Sequence, residues 1–126
     1  MNIDKINLSE KFGKLPDGDY AVGIIAKMNN YEIKVVKRTG ESKSSFVLHK
    51  HEDTDETFIV LEGTMVMNYS DRAVEVNKGE MIVVPKGVEH QPSTITGYKV
   101  LLIELENTLN TGNIINEKTI RKIEWV

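Results

Sequence analysis

The sequence predicts an all-β chain, a jelly-roll barrel with a short N-terminal helix and a C-terminal tail. Three observations predict it. Helical periodicity is confined to the first 19 residues. Beyond them the chain breaks into eight short β-like runs, separated by Gly, Pro, Asn, Asp and Ser turn signals, and eight short strands are the count of a double-sheet jelly roll. Several of those runs are apolar at consecutive positions, as strands with both faces covered must be.

The helix is expected from about Asn7 to Lys14, with Leu8 and Phe12 at i and i+4, and the Leu15-Pro16-Asp17-Gly18-Asp19 cluster ends it. The strand runs are Tyr31–Arg38, Ser45–Lys50, Glu56–Glu62, Thr64–Tyr69, Ala73–Val76, Met81–Val84, Val88–Gln91 and Tyr98–Glu104. Residues 107–116 read as a loop. The tail Lys118–Val126 regains Ile120, Ile123, Trp125 and Val126 and is expected to dock, with Trp125 as its anchor. One domain therefore spans 1–126, with a core barrel at about 31–104, an N-terminal segment at 1–19 and a C-terminal loop and docking tail at 107–126.

Composition narrows the function classes. The 126 residues carry 40% apolar and 6% aromatic side chains, enough for a core and few for stacking bases or glycans. A net charge of −3 disfavours a nucleic-acid footprint. There is no cysteine, so any metal site is built from nitrogen and oxygen donors. No apolar stretch approaches the ~20 residues of a membrane span, and the N-terminus lacks a signal-peptide pattern, so a cytoplasmic location is expected.

All three histidines fall in one spaced pattern. His49-x-His51 is followed after four residues by Glu56 and after six more by Gly63; a second block reads Gly79-x5-Pro85-x-Gly87-x2-His90. On a strand His49 and His51 share a face. Glu56 has the wrong parity for that face, and the turn-prone Glu52–Asp55 is expected to reset it so that Glu56 points inward with Phe58 and Val60. Asp53 and Asp55 are fallback ligands. Gly63, Gly79 and Gly87 are expected at chain reversals, with Pro85 shaping the turn that presents His90. Three imidazoles and one carboxylate suit Mn, Fe, Co, Ni, Cu or Zn rather than Mg or Ca, and leave up to two positions open in an octahedral shell.

These two blocks resemble the paired motifs of the cupin superfamily, whose fold is a double-stranded β-helix. The resemblance implies His49, His51, Glu56 and His90 as metal ligands and Gly63, Gly79, Pro85 and Gly87 as turn positions. Lys43 stands where the first motif has Gly, and Thr94 where the second has Asn. The short spacing between the motifs and the Leu109–Gly112 segment are similar to the small single-domain cupins described as mannose-6-phosphate isomerase-like.

The expected cofactor is one divalent transition-metal ion per chain, Mn, Fe, Ni or Zn foremost. The expected partner is a small oxygen-bearing molecule, bound and converted by dioxygenase or sugar or keto-acid isomerase chemistry; the alternative is a non-catalytic binding or sensing module. No catalytic residue is assigned, because no histidine is left over for proton transfer. Met65 and Met67 read as core filling, and Tyr69, Tyr98, Lys86 and Lys99 as surface or edge residues. A homodimer is expected to cover the second apolar face of the sheets.

Overall fold

The computed structural model describes residues 3–41, 48–112, 119–120 and 122–126. Among them one helix precedes seven strands: α1 (Leu8–Gly13), β1 (Ala21–Met28), β2 (Tyr31–Thr39), β3 (Glu56–Asn68), β4 (Ala73–Asn77), β5 (Met81–Val84), β6 (Gln91–Ser93) and β7 (Gly97–Leu105). Every pairing between named strands is antiparallel, in the order β1-β2-β7-β3-β4, with β5 and β6 also paired to β3.

The helix forms where it is expected. Asn7 caps it by accepting the Glu10 N–H at 2.9 Å, and Lys14 ends it by donating its N–H to the Lys11 carbonyl. Phe12 is the buried residue of α1 and packs with Leu15, Ala21, Ile25 and Val35 on the outer side of β1 and β2. Part of the second apolar face is thus covered within the chain.

Two strand assignments differ from the sequence reading. Ala21–Met28 is a full strand pairing with β2, although the reading places no strand there. Its composition, AVGIIAKM, lacks clear alternation, because its two faces pack against the barrel interior and against α1. The runs Glu56–Glu62 and Thr64–Tyr69 are one strand, β3, and Gly63 is no chain reversal. Between Val60 and Glu62 the register with β7 slips, and Gly63 takes φ 78°. The slip changes the parity of the inward face, so that Glu56, Phe58 and Val60 are followed inward by Met65 and Met67. A Cβ on Gly63 would lie 2.1 Å from the Gly97 carbonyl oxygen, a contact no side chain can make. Gly79 and Gly87 do sit at turns, with φ 84° and 83°.

Lys43 and the first three residues of the run Ser45–Lys50 lie outside the described residues, and of the other three only His49 enters a β-bridge. The run Val88–Gln91 contributes only its last residue to a strand, with His90 in an isolated bridge. Thr94, in the place of the family's Asn, is buried; its hydroxyl donates to the Thr64 carbonyl at 2.8 Å and accepts the Gly97 N–H at 2.9 Å. It closes the turn from β6 into β7 beside the Gly63–Gly97 contact.

The tail docks by its backbone onto β1. The Ile24 N–H donates to the Glu124 carbonyl and the Val126 N–H to the Ile24 carbonyl, at 2.9 and 3.0 Å. Val126 is the anchor: its side chain fills the space a Cβ on Gly23 would take, whereas Trp125 is 57% exposed. Among the described residues, no helix is long and apolar enough to cross a membrane.

Candidate metal centre

His49 and His90 face each other across an antiparallel bridge. Each donates its backbone N–H to the other's carbonyl, at 3.0 and 2.8 Å. Such a doubly bonded pair has Cα atoms about 5.5 Å apart, so both side chains leave from one spot. The ring centroids of His49 and His90 are 4.5 Å apart, and His51 lies 5.1 and 5.5 Å from them. Gly112 makes room for this arrangement: a Cβ there would meet the Lys50 carbonyl oxygen at 2.3 Å and the His49 ring at 3.0 Å.

The acidic segment between His51 and β3 does the bending expected of it. Asp53 and Asp55 are exposed, which removes them as ligands. Asp55 instead accepts the Lys86 N–H at 2.9 Å, and the Gly87 N–H donates to the His51 carbonyl at 2.8 Å. Together these tie the Pro85–Gly87 turn to the His51 segment. The Thr54 hydroxyl donates to the Asp55 carbonyl and accepts the Leu105 N–H, pinning the same segment to the end of β7.

The four expected ligands come together. Oε1 of Glu56 lies 3.0 Å from Nε2 of His51 and 2.7 Å from Nε2 of His90. Donor atoms of His49, His51 and His90 all lie within 4.8 Å of one another, and all four residues are buried. Nδ1 of His90 donates to the Val88 carbonyl at 2.9 Å, which leaves Nε2 as the ligating nitrogen. Bonds of 2.0–2.1 Å at right angles put adjacent donors about 3 Å apart, close to the Glu56 separations. Nε2 of His51 and Oε1 of Glu56 are buried and have no hydrogen-bond partner outside the cluster itself, as donors held ready for a cation would be. The donor set fits a divalent transition metal.

Behind the four lies a group that the sequence reading left out. Glu104, on β7, forms a second cluster with His51 and Glu56, and its Oε1 accepts a 2.7 Å hydrogen bond from Nζ of Lys34. Both side chains are buried. Strand parity places them there. On β2 the inward positions are Lys34, Val36 and Arg38; on β7 they are Tyr98, Val100, Leu102 and Glu104. That alternation is legible in the sequence, but a charge on a strand is ordinarily a solvated one. Tyr98, read as a surface or edge residue, is buried in the cavity wall, whereas Met65 and Met67 are core as expected. Arg38 donates to the Asp19 carbonyl and carboxylate and to the Pro92 carbonyl, tying the loop before β1 to β6.

The electrostatics divide the two carboxyls. Burial alone would raise Glu56, but hydrogen bonds with Glu104, His51 and His90 outweigh it and hold Glu56 well below the usual carboxylate range. Burial pushes Glu104 well above that range, and the Glu56 charge acts in the same direction, against Lys34. The like charges push the two carboxyls apart in opposite directions, Glu56 down and Glu104 up, while Lys34 draws Glu104 back. For His90, burial favours the neutral ring, yet the bond to Glu56 wins and raises its pKa. Burial raises the hydroxyls of Tyr20 and Tyr98, which stay protonated at neutral pH.

The cluster opens into a narrow cavity of about 30 Å³, measured as the space open to the centre of a water molecule. Apolar walls from Val22, Val36, Phe58, Val100 and Leu102 alternate with Tyr20, Tyr98 and Glu104, and Asn110 and Ile123 of the C-terminal segment complete the lining.

The cupin domain family matches residues 38–104, slightly more than half of the chain. The chain is a cupin. A cupin-2 domain containing protein from Shewanella frigidimarina is 42% identical to this cupin and superimposes with a TM-score of 0.72, over 80% of this chain and 94% of that one. Protein NMB1881 from Neisseria meningitidis is 29% identical, with a TM-score of 0.68 over 82% of this chain and all of that one. The Bacillus subtilis protein YdbB is 34% identical over 68 residues, which span 53% of this cupin and 57% of YdbB. The mannose-6-phosphate isomerase-like subgroup rests on the sequence resemblance alone.

Proposed function

We propose that this cupin binds one divalent transition-metal ion through His49, His51, Glu56 and His90, and uses it to bind and convert a small oxygen-bearing metabolite. The observation that carries the reading is the gathering of three buried imidazoles and a buried carboxylate, with Nε2 of His51 and Oε1 of Glu56 having no hydrogen-bond partner outside the cluster. Mn, Fe, Ni and Zn are the ions we put first. When bound, such an ion supplies a Lewis acid able to polarise a carbonyl or hydroxyl oxygen of the ligand.

The chain's own residues supply the remainder. The apolar walls exclude water, and the protonated Tyr20 and Tyr98 hydroxyls line the same space as hydrogen-bond donors for ligand oxygens. Glu104, its carboxyl pushed up by burial, stands beside Glu56 as a titratable group that the histidines alone do not provide. This favours conversion over the alternative, a non-catalytic binding or sensing module. The cavity has room for only about two or three ordered waters, so the ligand is a metabolite of few heavy atoms, or one that displaces a wall on entry. A homodimer is part of the same proposal, supported by Met81 and Val83 on β5, which are 56% and 48% exposed. Light scattering that returned the 14.3 kDa mass of one chain would remove it.

Elemental analysis of untagged protein tests the metal. We expect about one transition-metal ion per chain, and His51→Ala to lose it while the metal-free fold persists. A variant that retains a full complement of metal would show the ligand assignment to be wrong. Iron or nickel directs the search to oxygen consumption, and zinc or manganese to isomerase substrates.

A further inference from the structure

We propose that Glu104 is a fifth protein ligand of the centre, one that exchanges between the metal ion and the Lys34 ammonium. The proposal rests on the metal-binding reading above and extends it to a residue outside both sequence motifs.

The geometry has three parts. Donor atoms of His51, Glu56 and Glu104 lie within 4.8 Å of one another, as do those of the three histidines, and the two groups share His51. An ion held by one group is therefore at the edge of the other. Second, the two oxygens of Glu104 have different surroundings. Oε1 is engaged by Nζ of Lys34 at 2.7 Å, whereas Oε2 is buried and has no hydrogen-bond partner outside the carboxyl pair with Glu56. A carboxylate oxygen fully removed from water is costly unless something cationic answers it. Third, Glu104 lines the same cavity as Glu56, His49 and His90, the space any ligand of the ion must enter.

Lys34 makes the exchange possible. It is itself buried, with Glu104 at 2.7 Å and Glu32 at 3.6 Å, so it keeps a counter-charge when Glu104 turns toward the ion. A bound ion would be held by five protein groups with Glu104 turned toward it and by four with Glu104 on Lys34, which would admit a second oxygen of the metabolite. No covalent bond in the protein changes; one metal–oxygen contact is replaced by the ligand's. The centre would then select bidentate oxygen ligands, which displace Glu104, over monodentate ones, which need not.

The test is Co2+ binding to the metal-free protein by titration calorimetry, comparing wild type, Glu104→Gln and Glu32→Gln. Glu104→Gln preserves the shape of the Lys34 contact and should weaken Co2+ binding about tenfold or more. Glu32→Gln removes the other carboxylate beside Lys34, 3.6 Å from its Nζ, and should leave the affinity within about twofold. Equal losses in the two variants would mean a through-space charge effect and overturn the proposal. So would an unchanged affinity in Glu104→Gln, which would leave Glu104 as the counter-ion of Lys34 alone. Should Glu104→Gln fail to fold, the double variant Lys34→Met with Glu104→Leu removes the pair together and is read in the same way. A wild-type protein that takes up no Co2+ defeats the metal site itself, a result distinct from either of these.

Discussion

One strand, β3, runs through both ends of the barrel interior, and the two ends are built on opposite principles. From Val60 onward its inward side chains are apolar: Val60, Met65 and Met67 are fully buried and pack with Val76, Val84 and Val100. At its start Glu56 meets His51, His90 and Glu104, with His49 and Lys34 beside them, all buried. The first end holds by packing, where each buried methylene contributes about 0.8 kcal/mol. The second gathers buried charges that hold each other in place, and such a cluster adds little net stability. The comparison teaches that the interior is divided by task. The apolar end keeps the strands in register, and the register delivers the polar end.

The sharpest way to break that division is at its boundary. Gly63→Ala puts a Cβ against the Gly97 carbonyl at a left-handed backbone position, combining overpacking with backbone strain. We expect a loss of about 3 kcal/mol or more in chemical denaturation, and loss of metal binding with it, because the slip that turns Met65 and Met67 inward is disturbed. Met65→Ala tests the apolar end alone. It should destabilise by about 2–5 kcal/mol, with the metal stoichiometry of the folded fraction intact. His51→Ala is its counterpart, removing the metal with a smaller change in the stability of the metal-free protein. If the two variants behave alike in both measurements, the ends are not separable.

Proton linkage sharpens the same comparison. The folded pKa of His90 is raised above its ordinary 6.5, so its contribution to the metal-free fold is complete below about pH 6.5 and fades as pH rises through the raised value. The raised Glu104 carboxyl has the same sign, its contribution being present below the usual carboxylate range and lost as pH rises. The lowered Glu56 carboxyl has the opposite sign, and its contribution is lost only when the solution is acidified below that range. The Tm of metal-free protein should therefore fall as the pH rises above about 6.5. Metal binding, which needs a neutral His90, should tighten over the same interval. The smallest effect is expected at Thr94. Thr94→Val leaves the Gly97 N–H and the Thr64 carbonyl without partners and should cost about 1–3 kcal/mol, whereas Thr94→Asn can reproduce both bonds and should cost less than about 1 kcal/mol.

Residue spacing alone determined the class of the fold and the four residues that meet at the centre. His49, His51 and Glu56 are close in sequence, and the turn between His51 and Glu56 is local chemistry, so their convergence is legible without coordinates. The cap at Asn7 and the turns at Gly79 and Gly87 are legible for the same reason. Tertiary structure decided the rest. Ala21–Met28 pairs with β2 and packs on α1, a long-range arrangement that its flat hydrophobicity conceals. Gly63 permits a slip within a strand rather than a reversal, because what limits it is the Gly97 backbone, 34 residues away. Lys34 and Glu104 look like ordinary solvated charges, and only the pairing of β2 with β7, and of β7 with β3, brings them together beside Glu56. Local rules place a residue on a face, but whether that face meets water or a second buried charge depends on which strands close against it.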